Sequence, residues 1–347
     1  MMDGMPPYRA LLTHGFVIDL EGRKMSKSKG NAMSPQNIVD TLGADILRLW
    51  VASSDYSGEL TISSEILKRV VESYRRIRNT LRFLLANIED FDPARHHLPP
   101  EQWIEIDRFA LELTRRFQDD LVGYYERYEF HLAMQRFVNF CSEDLGAFYL
   151  DILKDRLYTA AQDSRARRSP QNALWHITNS LLRLMAPVLS FTSQEAWEIF
   201  HRGVEDCVFE QEWHALPASG LDRATVDMWQ SVRDTREIAN KRIEEQRAQG
   251  LIGSSLQAEL DIQTFGPVYE SMRRLGEDLK FVFITSRATV NNVEGAGVTV
   301  KVTPSNQKKC ERCWHYRADV GKDAAHPVLC GRCVANLFGS GEPRVHA

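Results

Sequence analysis

SSEILKRVVESYRRIRNTLRFLLANI, residues 63–88, sets Ile66, Val70, Tyr74, Ile77, Leu81, Leu84 and Ile88 three or four positions apart. That spacing lays an apolar stripe along an α-helix of about seven turns. Ser64 is available as N-cap and Glu65 as an acid in the first turn. Asp92-Pro93 and Pro99-Pro100 end the pattern, because proline cannot continue a helix. The opposite face carries Lys68, Arg69, Arg75, Arg76, Arg78 and Arg82. An ordinary solvated face and a face that meets an anionic partner are equally open readings of those cations.

Downstream the same period recurs through Phe109, Leu113, Phe117, Leu121 and Tyr124, then through Leu132, Phe137, Phe140, Leu145, Phe148 and Ile152. Ser169-Pro170 reads as a helix start, with serine as cap and proline at the first position. Thr192–Glu195 reads as a capping box, and Arg165–Arg168 as a short basic loop without assigned function. Residues from about 63 to 205 therefore predict a bundle of long helices, and the fold class is mainly α. Tyr124, Tyr125, Tyr128, Phe137, Phe140, Phe148 and Trp175 could stack on bases, but at helical spacing core packing is the stronger reading.

Either side of the bundle the pattern changes. Phe16–Leu20 predicts a strand, followed by a charged, glycine-flanked loop and a helical run from Pro35 through Asp45 to Val51. A helix from Thr225 to Gln249 stops at Gly250. Leu256, Ala258, Leu260 and Ile262 then alternate. A helix near Pro267–Leu279 precedes apolar segments at Phe281–Ile284 and Val298–Val302, which together predict a small α+β module.

Composition excludes several classes. With 347 residues the chain is long enough for more than one domain, and no apolar run approaches the roughly 18 residues that a membrane span needs. A formal net charge of −4 argues against wholesale nucleic-acid binding, while leaving room for local basic patches. The start, MMDGMPPYRA, shows no secretory pattern, so a cytoplasmic protein is expected.

Against that acidic background, GRKMSKSKGN at 22–31 concentrates Lys24, Lys27 and Lys29 among hydroxyls and glycines. Ammonium groups, hydroxyl donors and glycine hinges suit a loop that closes on polyphosphate. It is not a Walker A loop, whose glycine and lysine order is missing.

The C-terminal sequence carries KKCERCWHYR and HPVLCGRC, which set Cys310, Cys313, Cys330 and Cys333 in a C-x2-C-x16-C-x2-C pattern. Four thiolates so spaced can close a tetrahedral zinc site, and a filled site is structural rather than catalytic. Zinc is the reading ahead of redox or unliganded thiols. His315 and His326 are expected at the surface, and Cys141 and Cys207 as isolated core thiols. Lys301, Lys308, Lys309, Arg312, Arg317, Lys322 and Arg332 make this segment locally basic, and Trp314 offers a stacking face.

HGFVIDLEGRKMSKSKGN followed by PQNIVDTLGADILRLWVASSDY resembles the KMSKS region of class I aminoacyl-tRNA synthetases. SEILKRVVESYRRIRNTLRFLLANIEDFDP, FYLDILKDRLY, MAPVLSFTSQEAW, GSSLQAEL and the terminal CERCW and CGRC resemble the bacterial isoleucyl branch of that family, with the valyl branch as nearest alternative. The resemblance runs from about Tyr8 to Arg344, while the H-x-G-H signature and the editing domain of such enzymes do not occur. The chain thus looks like about the C-terminal third of one. A free-standing tRNA-binding module without catalysis is the competing expectation.

The resemblance implies a remnant of the class I nucleotide-binding fold at 1–62, an anticodon-binding bundle at 63–222, a junction helix and small module at 223–304, and a zinc-binding tail at 305–347. It implies that Lys27 is catalytic, stabilising the transition state of adenylate formation, and that Lys24, Met25, Ser26, Lys27 and Ser28 bind ATP. Arg69, Arg75, Arg76 and Trp314 are the implied tRNA contacts. The implied ligands are ATP with Mg²⁺, isoleucine, tRNA(Ile) and one structural Zn²⁺, in a monomeric enzyme. The chain by itself is expected to be catalytically incomplete.

Overall fold

A computed structural model describes residues 8–31, 33–202, 206–295 and 297–347, with Lys27 described by its backbone alone. The start at Met1 and Met2 lies outside the described residues. The chain gathers into two compact units, each assembled from three separate segments: Met1–Arg82, Phe117–Ser142 and Ser180–His214 in the first, and Phe83–Arg116, Glu143–Asn179 and Ala215–Ala347 in the second.

In the first unit, strand β1 (Val17–Ile18) pairs in parallel with β2 (Leu60–Thr61), and helices α1 (Pro35–Leu42) and α2 (Ala44–Ser53) make the crossover between them, as a parallel pair requires. The run read as one helix from Pro35 to Val51 is two. Gly43 sits at φ 93°, a region glycine enters at no steric cost, and its N–H closes α1 on Val39. Ile38, Trp50, Leu60, Ile62 and Leu67 form the core here, with Met25 packed against it.

Helix α3 (Ser64–Asn87) follows the predicted stripe. Of the predicted positions Ile77, Leu81, Leu84 and Ile88 are buried and Ile66, Val70 and Tyr74 half-buried, while Leu67, outside the predicted stripe, is buried as well; Lys68, Arg69, Arg75, Arg76, Arg78 and Arg82 are exposed. Its cap is one residue earlier than expected: the Ser63 hydroxyl accepts from the Ile66 N–H at 3.2 Å. After the short α4 (Pro93–His96) come α5 (Glu105–Glu126), α6 (Phe130–Asn139), a π-helical stretch Phe140–Leu150, α7 (Asp151–Thr159), α8 (Arg165–Met185), α9 (Ser190–Phe200) and α10 (Arg223–Ala248). The aromatics are mainly core: Phe137, Phe140 and Phe148 are buried, Tyr124, Tyr125 and Trp175 are half-buried, and Tyr128 is exposed.

Two helix starts differ from the sequence reading, for the same physical reason. Helix α8 begins at Arg165 and holds Pro170 inside it; Ser164 caps it, accepting from the Arg167 N–H at 3.3 Å. Ser169 instead donates to the buried carboxylate of Asp107 and accepts from the Ile104 N–H. The supposed basic loop is the first turn of α8, where Arg167 and Arg168 pair with Asp90 at 3.0 and 3.2 Å. Likewise α9 starts at Ser190, ahead of the proposed capping box, and its free N–H groups are met by Asp45 of α2. In both places a partner distant in sequence outcompetes the local one.

In the second unit β3 (Ala258–Thr264) is the centre of a three-stranded sheet, parallel to β4 (Arg287–Asn292) and antiparallel to β5 (Thr299–Pro304). Ala258, Leu260 and Ile262 face inward, as the alternation predicted. Helices α11 (Gly266–Leu275) and α12 (Leu279–Val282) lie between β3 and β4 in the chain. Phe281–Ile284 is therefore not a strand: Phe281 and Val282 end α12, and Ile284 turns the chain at φ 54°. The last elements are a short hairpin, β6 (Lys308–Lys309) with β7 (Tyr316–Arg317), and α13 (Gly331–Phe338). Among the described residues no helix is long and apolar enough to cross a membrane.

Candidate functional site

The lysine loop hangs from Asp19. Its carboxylate accepts from the Arg23 N–H at 2.9 Å, from Arg23 Nε at 3.0 Å and from Asn31 Nδ2 at 2.9 Å. The Asn31 amide and the Arg23 groups hold the Asp19 carboxyl well below the usual carboxylate range. Asn31 in turn accepts from the Ser26 N–H at 3.0 Å, so both ends of the loop are tied to one anion. Met25 is half-buried against the core, whereas Lys24, Ser28 and Lys29 are exposed. Lys24 Nζ stands 4.7 Å from the centre of the Phe16 ring, and Ser26 Oγ lies 3.2 Å from Ser28 Oγ. The Lys27 side chain lies outside the described residues; its backbone begins the 3₁₀ turn Lys27–Lys29. The geometry gathers cations and hydroxyls on one anchored, solvent-facing loop.

On α3, Arg69 lies 3.9 Å from Glu65 and Arg75 lies 2.7 Å from Glu72. Arg76, Arg78, Arg82 and Lys68 have no ion pair among the described residues, so this face keeps uncompensated charge available to an anion.

Cys310, Cys313, Cys330 and Cys333 converge, all buried, with their sulfurs within 4.8 Å of one another. Cys310 to Cys333 and Cys313 to Cys330 are both 3.7 Å between Sγ atoms. Zinc–sulfur bonds of about 2.3 Å in a tetrahedron place sulfurs about 3.8 Å apart, so the donor set fits zinc. Charge tells the same story. Hydrogen bonds from Cys313 and Cys333 draw the Cys330 thiol down to about 3, while contacts with Cys313 and Cys330 push Cys333 far up. Four sulfurs this close cannot all ionise without a cation among them.

Next to the centre, Trp314 is 59% exposed at φ 63°, with Lys309 Nζ 5.5 Å from its ring. A bulky residue is costly in that conformation. His315, expected at the surface, is 3% exposed; its Nδ1 is 3.2 Å from the Cys313 carbonyl and 4.0 Å from Asp155. His326 is half-buried, stacked on Phe338 at 4.1 Å. Arg332 is buried and holds Asp155 through two bonds of 2.6 and 2.7 Å. Burial alone would raise the Asp155 carboxyl, but the charges of Arg332 and Arg344 hold it far below the carboxylate range. Of the predicted basic residues here, Arg332 and Arg317 thus have anionic partners, and Arg312 donates to the Thr159 carbonyl at 2.6 Å. Cys141 is buried and Cys207 half-buried.

Comparison with known proteins agrees along the chain. Residues 107–262 match the anticodon-binding domain of tRNA ligase, residues 1–63 the class I tRNA synthetases of the I, L, M and V group, and residues 307–336 the zinc finger found in FPG and IleRS. The isoleucine–tRNA ligase of Cupriavidus necator is 58% identical over 353 residues, covering 100% of this chain and 36% of that protein. That of Paraburkholderia xenovorans is 59% identical over 345 residues, covering 99% and 36%.

The chain belongs to the isoleucine–tRNA ligase family.

It spans about a third of the length of these relatives, 36%, and corresponds to their C-terminal part. A solved Mycobacterium tuberculosis methionyl-tRNA synthetase in complex with methionyl-adenylate is 20% identical, covering 53% of this chain and 37% of that one at a TM-score of 0.46. Within the isoleucine–tRNA ligase family, the loop and the cysteines were legible from spacing. Asp19, Asn31, Asp155 and His315 were not. For His315, its place directly after the C-x-x-C turn and Trp314 was the one available signal; Asp19 and Asp155 fall inside stretches that carry the resemblance, HGFVIDLEGRKMSKSKGN and FYLDILKDRLY, but no spacing there marks their partners.

Proposed function

We propose that this chain is the ATP-loop, tRNA-binding and zinc-binding portion of an isoleucine–tRNA ligase. In the whole enzyme the isoleucine carboxylate attacks the α-phosphorus of ATP, pyrophosphate leaves, and the isoleucyl group passes to tRNA(Ile). Lys27, assisted by Lys24, meets the phosphate charge as it develops, with Mg²⁺ accompanying the ATP; Met25, Ser26 and Ser28 shape the loop around it. Residues 1–62 end the catalytic domain, 63–222 bind the anticodon arm, 223–304 form a junction, and 305–347 carry one structural zinc on Cys310, Cys313, Cys330 and Cys333. Arg69, Arg75 and Arg76 lie along tRNA phosphates and Trp314 meets an exposed base. The enzyme acts as a cytoplasmic monomer.

The observation that carries this reading is the 58% identity to an isoleucine–tRNA ligase over the full length of the chain, and the anchored loop and convergent thiols support it. Filter binding to tRNA(Ile) and its anticodon variants tests it: affinity should fall when the anticodon changes, and indifference to the anticodon would remove the recognition role. The chain alone, without H-x-G-H in its sequence, should give no isoleucine-dependent ATP–pyrophosphate exchange.

A further inference from the structure

The zinc module has little apolar core of its own. Its buried cluster consists of the four cysteines and Val320, with Leu329 packed against them. Something besides packing must bring the two cysteine pairs together. Helix α13 holds Cys333 and is preceded directly by Cys330, and Arg332 stands between these two ligands. Its guanidinium is turned inward, onto Asp155 of α7, 177 positions earlier in the chain. Arg344 reaches the same carboxylate at 2.5 Å, and its guanidinium carbon lies 3.2 Å from the centre of the Phe281 ring. Glu342 lies 3.2 Å from Arg344 Nε and accepts from Asn336 of α13 at 3.0 Å. One aspartate therefore holds both the first turn of α13 and the segment Glu342–Ala347.

We propose that Asp155 is an outer-sphere residue of the zinc centre: by holding Arg332 it keeps Cys330 and Cys333 where they meet Cys310 and Cys313, and zinc in turn keeps Glu342–Ala347 seated on α7.

Metal binding must order its ligands, and a ligand already held by another contact costs less to order. Asp155 acts through Arg332 and touches no sulfur, so it is a positioning residue. Outer-sphere partners bonded directly to a ligand are worth about 10- to 100-fold in metal affinity, and Asp155, one residue further out, should act at the lower end of that range. The coupling is reciprocal: the factor by which the Asp155–Arg332 contact tightens zinc is the factor by which zinc tightens that contact. Asp278 provides the contrast. It accepts from the N–H groups of Val345, His346 and Ala347 at 3.2, 2.8 and 3.2 Å, so it anchors the same segment without touching Arg332.

Competition for zinc with a chromophoric chelator, on the purified chain, tests this. Asp155→Asn should weaken zinc binding by about 10-fold, and Asp278→Asn by less than about 3-fold. Arg332→Lys keeps the charge but not the two-pronged geometry; it should fall between them, and it stands in if Asp155→Asn fails to give a helical circular dichroism spectrum. Stripping zinc from the wild type should speed amide exchange at Arg344–Ala347, and restoring zinc should reverse it. The proposal is overturned if Asp155→Asn binds zinc like wild type, if Asp278→Asn loses as much, or if exchange in that segment ignores the metal.

Discussion

Asp45 closes the N-terminus of α9 from another helix: its carboxylate accepts from the Thr192 N–H at 2.7 Å and from the Thr192 hydroxyl at 2.6 Å, 147 positions away. Tyr74 of α3 meets the same hydroxyl at 2.9 Å, so three helices of the first unit share one threonine. Asp45 is 6% exposed, and a buried charged hydrogen bond is worth about 2 kcal/mol when its partners are left unsatisfied. Asp45→Ala should lower the unfolding free energy by about that much, measured by urea denaturation. A loss of less than about 0.5 kcal/mol, the range of ordinary surface changes, would show that water substitutes for the carboxylate.

The thiol cluster predicts its own chemistry. Metal analysis of the purified chain should give one zinc per molecule. Cys330→Ser removes one of four donors from a module whose buried cluster is mostly those donors. Zinc retention should fall, and limited proteolysis should open residues 305–347 before the helices. Unchanged occupancy in Cys330→Ser would sink the four-cysteine assignment.

For the cationic helix, the tRNA reading makes a quantitative statement about salt. Each phosphate contact removed should lower the slope of log affinity against log salt by about 1. Arg76→Ala should show that full change, because Arg76 is exposed without an ion pair among the described residues. Arg75→Ala should show less, since Glu72 at 2.7 Å already holds its guanidinium. Slopes that do not move in either variant would return α3 to an ordinary solvated face.

His176 gives the second unit a pH dependence. Burial, and after it the charge of His97, push its pKa from 6.5 down to about 4; the ring packs against Trp103 at 5.8 Å. The unfolded chain therefore takes up the proton first. Stability should be unaffected by this group above about pH 6.5, then fall as pH drops, by about 2 kcal/mol at pH 5 and about 3 kcal/mol at pH 4. Urea midpoints of wild type and His176→Gln at pH 7 and pH 5 check this: the wild type should lose more across the interval, and equal losses would clear His176 of the effect.

Much of this protein could be read one short window at a time. The apolar stripe of α3, the alternation of β3, the lysine loop and the C-x-x-C pairs are each written within a few turns of chain, and periodicity or spacing is all they require. Apart from the break at Gly43 and the turn at Ile284, the places where that reading failed are those where a polar group had a choice. Ser169 prefers the buried Asp107 to capping its own helix, and Thr192 prefers Asp45 to Glu195. The histidine beside the cysteines is drawn inward against Phe281 at 5.6 Å instead of facing solvent.

Composition, the mainly helical class, the chemistry of the lysine loop and the pairing of the four cysteines were thus legible in local sequence. The tertiary structure decided which charge answers which: Asp19 for the two flanks of the loop, Asp155 for Arg332 and Arg344. The reason is physical. Helix and strand patterns follow from repeats along the chain, but a buried hydrogen-bonding group or charge takes whichever partner packing brings within about 3 Å, and no periodicity encodes a partner 177 residues away.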